Sequence, residues 1–204
     1  MGLVRFDDED IRYCLSKAVE IGEGYELYVL NGKGFPRSVD DLAWVCEQYL
    51  AKTIVFEEVE FPAEGSSIKA AYWAMNDGTY RIGLTYGMDS DELRFVLCKE
   101  IFHVLFDDES RRNMDLSDHV SDYGLTLRSS ETENPKCAVA WETLAEIAAM
   151  EFLFPHAMRA KTLAEVNPMD YARIASLYGV PRPALEQMCS AGNMEYLRDR
   201  MPAG

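Results

Sequence analysis

The spacing of apolar residues divides the N-terminal part of the chain into a helix and a strand. Apolar residues recur at helical intervals from Asp7 to Glu20, which predicts an amphipathic helix that ends near Gly22 and Gly24. Tyr25 to Leu30 then alternates in the manner of a short strand. Glycine and proline in residues 31–36 indicate a loop after it.

A second helix and three strands are predicted between residues 38 and 84. Ser38 can cap a helix that extends to Leu50. Three strand-like segments follow it, Thr53 to Phe61, Ile68 to Met75 and Thr79 to Leu84. Because Asn76-Asp77-Gly78 suits a tight hairpin turn, the last two strands should pair with each other. The sequence therefore predicts a small antiparallel sheet.

The segment from Asp91 to Asp107 predicts an apolar-rich helix that is buried over one broad side. Ser90 or Asp89 can cap its start, where acidic residues suit the positive end of the helix dipole. The polar stripe on the remaining face consists of Arg94, Lys99 and His103.

A long polar connection separates this helix from the next one. Residues 107–135 have little pattern, which fits either a functional lid or a disordered segment. The next helix is predicted over residues 138–154 and should end at Pro155, since proline cannot continue the hydrogen-bond ladder. Its small residues would allow close packing on the helix predicted over Asp91 to Asp107. These small residues are Ala138, Ala145, Ala148 and Ala149.

The helix from Asp91 to Asp107 contains a near match to a zinc-binding motif. In HExxH peptidases two histidines four residues apart bind one metal, and the glutamate after the first histidine polarises the metal-bound water. Here the five residues are Lys99-Glu100-Ile101-Phe102-His103. A lysine, Lys99, therefore occupies the position of the first histidine ligand.

A second motif lies at Trp141 to Pro155. It resembles the signature Glu-x-x-Ala-Asn-x-Phe-Ala-Ala-x-Leu-Leu-Met-Pro of the ImmA/IrrE family of zincin-like metallopeptidases, with Glu142 on the signature glutamate. Residues 172–185 look like the helical pair that closes these proteins, so the resemblance covers roughly Ser38 to Leu197. It implies Glu100 as the catalytic residue, with His103 and Glu142 as metal ligands.

Four residues depart from the family pattern. They are Lys99 for the first histidine, Phe102 for the usual glycine, Glu146 for asparagine and Ala148 for phenylalanine. The fold inference is little affected by these changes, whereas the catalytic inference depends on Lys99.

The predicted fold class is α+β. A chain of 204 residues can bury one substantial core. We expect an N-terminal helix and strand extension at residues 1–37, a zincin-like core at 38–155 with a small antiparallel sheet and two site helices, and a C-terminal helical subdomain, helix-turn-helix-like, at 156–204.

Charge and cysteine content exclude several classes of protein. The net charge is -15, which repels nucleic acid and favours a basic partner. The five cysteines are scattered without CxxC spacing, which argues against a disulfide framework or a cysteine zinc site. No signal peptide or long apolar run is apparent, so we expect a cytoplasmic protein without a membrane segment.

The lysine changes the expected chemistry of the site. Its amine is protonated at neutral pH and is a poor zinc ligand, and His103 with Glu142 supplies too few ligands for a catalytic zinc. We therefore hypothesise a metal-free site in which a Lys99–Glu142 ion pair joins the two helices, with His103 nearby. In the alternative, Lys99 extends into solvent and has no specific role.

Two further interpretations belong to other functional classes. In the first, an active zinc endopeptidase recruits His119, His156 or Asp107 as a substitute ligand, with Glu100 as general base. In the second, residues 170–189 bind DNA as a helix-turn-helix, although only Arg173 and Arg182 are basic there. We prefer a structural helical pair for this segment.

By resemblance, the preferred function is that of a pseudoenzyme that has lost zinc hydrolysis and binds a protein partner. Members of the family are often encoded beside helix-turn-helix repressors, which they cleave to relieve repression in mobile elements or stress responses. The partner implied is therefore such a repressor, with no cofactor in the preferred interpretation and zinc in the alternative.

Overall fold

The computed structural model describes residues 8–29, 35–51, 53–60, 69–107, 135–165 and 170–202, with only the backbone described for 135–140. The elements within these ranges are α1 (Asp8–Val29), α2 (Val39–Leu50), β1 (Ile54–Glu58), β2 (Ala70–Ala74), β3 (Tyr80–Leu84), α3 (Ser90–Phe106), α4 (Pro135–Leu153), α5 (His156–Glu165), α6 (Tyr171–Tyr178), α7 (Arg182–Met188) and α8 (Ala191–Arg198). The α+β class is confirmed. The connection at 107–135, for which both a lid and a disordered segment were considered, lies outside the described residues except at its two ends.

The three strands form a mixed sheet in the order β1-β3-β2. β2 and β3 are the predicted hairpin, in which Tyr72 pairs with Ile82. The expectation of a purely antiparallel sheet was wrong, because β1 is parallel to β3, with Phe56 opposite Ile82. β2 lies antiparallel on one side of β3, and β1 lies parallel on the other side.

Helix α1 is longer than the sequence pattern predicted. It continues through Gly22 and Gly24 to Val29, so the predicted strand at Tyr25 to Leu30 was wrong over its described residues. Tyr25 is 2% exposed, packs edge-on against Phe152 and accepts a hydrogen bond from the Ser38 N–H. These long-range contacts outweigh the cost of about 1 kcal/mol per helical glycine.

The predicted starts of α2 and α3 are confirmed by their caps. The Ser38 side chain accepts a hydrogen bond from the Asp41 N–H, and the Asp89 side chain accepts one from the Glu92 N–H. Each cap satisfies a backbone donor that has no partner within the helix. These caps fix where α3 begins and therefore which of its residues face the core.

Helix α3 lies at the centre of the core. Its residues Cys98, Ile101 and Phe102 are fully buried, and it packs against α2, α4 and the strands β2 and β3. Helix α1 packs along α4 and belongs to the same hydrophobic cluster. The N-terminal helix is therefore part of the wall that holds α4 against α3.

The C-terminal helices α6 and α7 are joined by a tight turn at Gly179, whose φ of 59° is in the left-handed region that glycine tolerates best. The basic residues of this pair face carboxylates. Arg182 lies 2.6 Å from Glu186, and Arg173 lies 3.9 Å from Asp170. Among the described residues, no helix is both long and apolar enough to span a bilayer.

Candidate functional site

The candidate site lies where α3 and α4 cross. Lys99 and His103 are one turn apart on α3, and Glu142 faces them from α4. Close approach of the two helices is possible because the α4 residues at the crossing are small. Ala145, Ala148 and Ala149 are fully buried. Close packing through these alanines was predicted from the sequence. The side chain of Ala138, the fourth alanine in that prediction, lies outside the described residues.

Lys99 is held by two carboxylates. Its Nζ lies 2.8 Å from Glu142 Oε2 and 3.2 Å from Glu100 Oε1. The predicted Lys99–Glu142 ion pair is therefore confirmed. The Lys99 side chain is 17% exposed, so the alternative in which it extends into solvent was wrong. Glu100, at 3% exposure, would be a buried charge without this contact.

His103 lies on the other side of Glu142. Its Nε2 is 3.2 Å from Glu142 Oε1, which is within the distance of an ion pair. The angles of this contact are not those of a hydrogen bond, and Nε2 has no hydrogen-bond partner among the described residues. The two oxygens of Glu142 thus face two different groups of α3. The Tyr72 ring on β2 stacks on the His103 ring at 5.9 Å with an interplanar angle of 14°. This stacking connects the sheet to the site.

The charges at the site stabilise one another. Burial lowers the pKa of Lys99, but the carboxylates of Glu100 and Glu142 outweigh it, so that its pKa is raised above the ordinary value. Burial raises the pKa of Glu142, but its contacts with His103 and Lys99 outweigh that effect and lower the pKa to about 2. Lys99 is therefore an ammonium and Glu142 a carboxylate at neutral pH.

Two residues of the site were not identified as members of it from sequence. Tyr72 is one, because its position over His103 depends on how the sheet docks against α3. Glu146 is the other. Burial raises the pKa of Glu146, against the lowering effect of the Lys99 charge. Its place one turn after Glu142 is a spacing that would have predicted it.

Of the substitute ligands proposed from sequence, His156 has its contacts elsewhere in the described structure. The ring Nε2 of His156 lies 3.0 Å from the carbonyl oxygen of Met194 in α8. The backbone N–H of His156 donates a hydrogen bond to the Glu151 carboxylate. Asp107 follows the last residue of α3, where its N–H donates to the Val104 carbonyl. His119 is outside the described residues. Within those residues, no group of three or more histidine, cysteine, aspartate or glutamate side chains is arranged to hold a metal ion.

The donor set does not fit a catalytic zinc ion. Such sites use three protein ligands and an open position. At the three positions where the family has its ligands, two described residues, His103 and Glu142, are ligands of the usual kind. The third position carries a protonated amine that binds Glu142 itself. A cation at this place would have to displace the ammonium from both carboxylates.

Comparison with known proteins identifies the family. Residues 59–190 match the family described as Peptidase_M78, IrrE N-terminal-like domain, which is more than half of the chain. A solved structure of a "Mycobacterium tuberculosis transcriptional regulator" is similar at 14% identity and a TM-score of 0.48. The match covers 89% of this chain and 50% of the chain of that regulator. Among curated proteins, none matches significantly.

Proposed function

Since the chain belongs to the IrrE N-terminal-like domain family of peptidases, we propose that it is a degenerate member that lacks zinc hydrolysis and acts by binding a protein partner. The observation that carries this proposal is the position of Lys99. Its ammonium lies 2.8 Å from Glu142 and 3.2 Å from Glu100, so it neutralises the carboxylates that a metal site would use.

The lysine supplies the charge that a metal would supply, but it cannot supply the chemistry. An ammonium has no open coordination position and cannot lower the pKa of a water molecule as zinc does. It does hold α3 and α4 together, because Glu100 and Glu142 would otherwise be close and uncompensated. In this proposal the site has a structural role, which is to hold α3 and α4 together beside β2.

Strand β2 is the part of the site that suits a peptide partner. The register with β3 directs the backbone N–H and C=O groups of Ala70, Tyr72 and Ala74 away from β3. β2 has no charged residue, whereas β1, the other edge strand of the sheet in the described part of the chain, contains Glu57 and Glu58. Charges discourage strand addition at an edge. An added strand is therefore favoured at β2, next to Tyr72 and His103.

A basic protein is the partner that the charge distribution favours. The chain has a net charge of -15, which would attract such a partner and repel nucleic acid. By family resemblance the partner would be a helix-turn-helix repressor. The thiols of Cys14, Cys46, Cys98 and Cys189 are unpaired and buried, which fits action in the cytoplasm.

The first prediction concerns metal content. Protein that is purified without chelator, exposed to zinc and then desalted should hold far less than one zinc ion per chain, because the ammonium of Lys99 excludes the metal. Mass spectrometry of the metal gives the number directly. Near-stoichiometric zinc that disappears in His103→Ala would instead support the active peptidase, with a ligand such as His119 recruited from outside the described residues.

The second prediction concerns the β2 edge. Ala74→Pro removes one outward N–H and leaves the β2–β3 ladder intact, since edge strands tolerate such a proline. Peptides selected on the native protein from a displayed library should lose about tenfold or more in affinity for this variant. The matched control is Glu58→Pro, which removes an outward N–H from β1. Equal loss in both variants, or in neither, would refute binding at β2.

A further inference from the structure

Three large apolar side chains lie exposed where α1 and α2 run side by side. Leu27, Tyr28 and Trp44 are 75%, 66% and 46% exposed. The rings of Tyr28 and Trp44 meet edge to face, with their centroids 6.4 Å apart. We call these three residues the α1–α2 patch. The opposite faces of both helices are buried in the core, so the patch is held on rigid elements.

The patch has a rim of carboxylates. On α2, Trp44 has Asp40 and Asp41 one turn before it and Glu47 one turn after it, which places them beside Trp44 on the helix surface. On α1, Glu23 precedes Leu27 by one turn. A ligand that covers the three apolar side chains would therefore also approach several negative charges.

The cations described near this rim are already paired. Lys17 forms an ion pair with Glu20 at 2.9 Å. Lys17 itself lies about three helical turns before Tyr28 on α1. Arg37 is buried and binds Glu26. Within the described part of the chain, these pairings leave the carboxylates around Trp44 without a basic side chain as partner, although Glu47 accepts a hydrogen bond from the Ile54 N–H. The rim is thus negative.

We infer that the α1–α2 patch is a docking surface for an amphipathic helix of another protein whose apolar face is flanked by lysine or arginine. Clustered exposed apolar residues with a polar rim are typical of protein interaction sites. Tyrosine and tryptophan are the residues that most often anchor such contacts. The negative rim selects the charge of the partner.

A second copy of the chain is a poor occupant of this surface. Each copy would bring a net charge of -15 and its own carboxylate rim to the contact. Repulsion between like charges opposes that association. The patch shares no residue with the site at Lys99, His103 and Glu142 or with β2, so this inference is independent of the proposed function.

The test uses a synthetic helix of leucine and lysine, about 18 residues long or five turns, with the leucines on one face. The native protein should bind it, and Trp44→Ser should weaken binding by about tenfold or more, as loss of an anchor residue does. Tyr28→Ala should act in the same direction. The matched control is Tyr86→Ala, because Tyr86 is 62% exposed and lies in the turn between β3 and α3, outside the patch. The affinity of this variant should stay that of the native protein.

Other results would overturn the inference. Equal binding by the native protein and by a folded Trp44→Ser variant, or by a scrambled peptide of the same composition, would show diffuse charge attraction only. A leucine and glutamate helix that binds equally well would remove the role of the rim. Sedimentation that shows a dimer, separated into monomers by Trp44→Ser, would assign the patch to a second copy. Circular dichroism of each variant checks the fold.

Discussion

Replacement of Lys99 by histidine is expected to give a protein that binds close to one zinc ion per chain. The new imidazole would lie one turn before His103 on α3, and Glu142 already faces both positions from α4. Two imidazoles and a carboxylate form the usual three-ligand set. Loss of the ammonium also releases both Glu142 and Glu100 from their ion pairs. Zinc at about 100 times its Kd should then stabilise the variant by about 2.7 kcal/mol.

The control for this experiment is Lys99→Met, which removes the amine without adding a ligand. It should bind no zinc and should be less stable than the native protein, because Glu100 is buried at 3% exposure and would lose its cation. The double variant Lys99→His/Glu142→Gln should lose the gained zinc. A folded Lys99→His variant that stays free of zinc would show that the α3–α4 geometry itself, and not the lysine alone, excludes the metal.

The parts of the site that could be predicted from sequence are those set by spacing within one helix. Lys99 and His103 are four residues apart, so their shared face follows from helical geometry. Glu142 was placed opposite them only by family resemblance. The stacking of Tyr72 on His103 depends on how a separate sheet docks, which no local pattern determines.

The errors in the fold have the same origin. Tyr25 to Leu30 has a strand-like pattern, yet Tyr25 is buried against Phe152 and Ser38, which are distant in sequence. The two glycines before it suggested a helix end, and the packing of α1 on α4 overrides them. The parallel pairing of β1 with β3 is likewise set by tertiary structure, because the residue pattern of one strand does not specify the direction of its neighbour.

The largest loss of stability from a single substitution is expected for Glu151→Ala. Glu151 and Arg159 are 4% and 1% exposed and lie 2.9 Å apart. Glu151 also accepts the His156 N–H at the start of α5 through both oxygens. Its removal leaves a buried guanidinium whose Nε and Nη1 have no described hydrogen-bond partner. Loss of one member of a buried pair costs about 3–5 kcal/mol.

Urea denaturation measures this loss, which corresponds to a fall in Tm on the order of 10 °C for a chain of this size. The matched control is Glu186→Ala, because its pair with Arg182 is exposed, at 41% and 63%. That change should cost no more than about 1 kcal/mol. The double variant Glu151→Leu/Arg159→Met should be more stable than Glu151→Ala, since it leaves no buried charge. If Glu151→Ala cost as little as Glu186→Ala, the guanidinium of Arg159 would have to find water or another acceptor when Glu151 is absent.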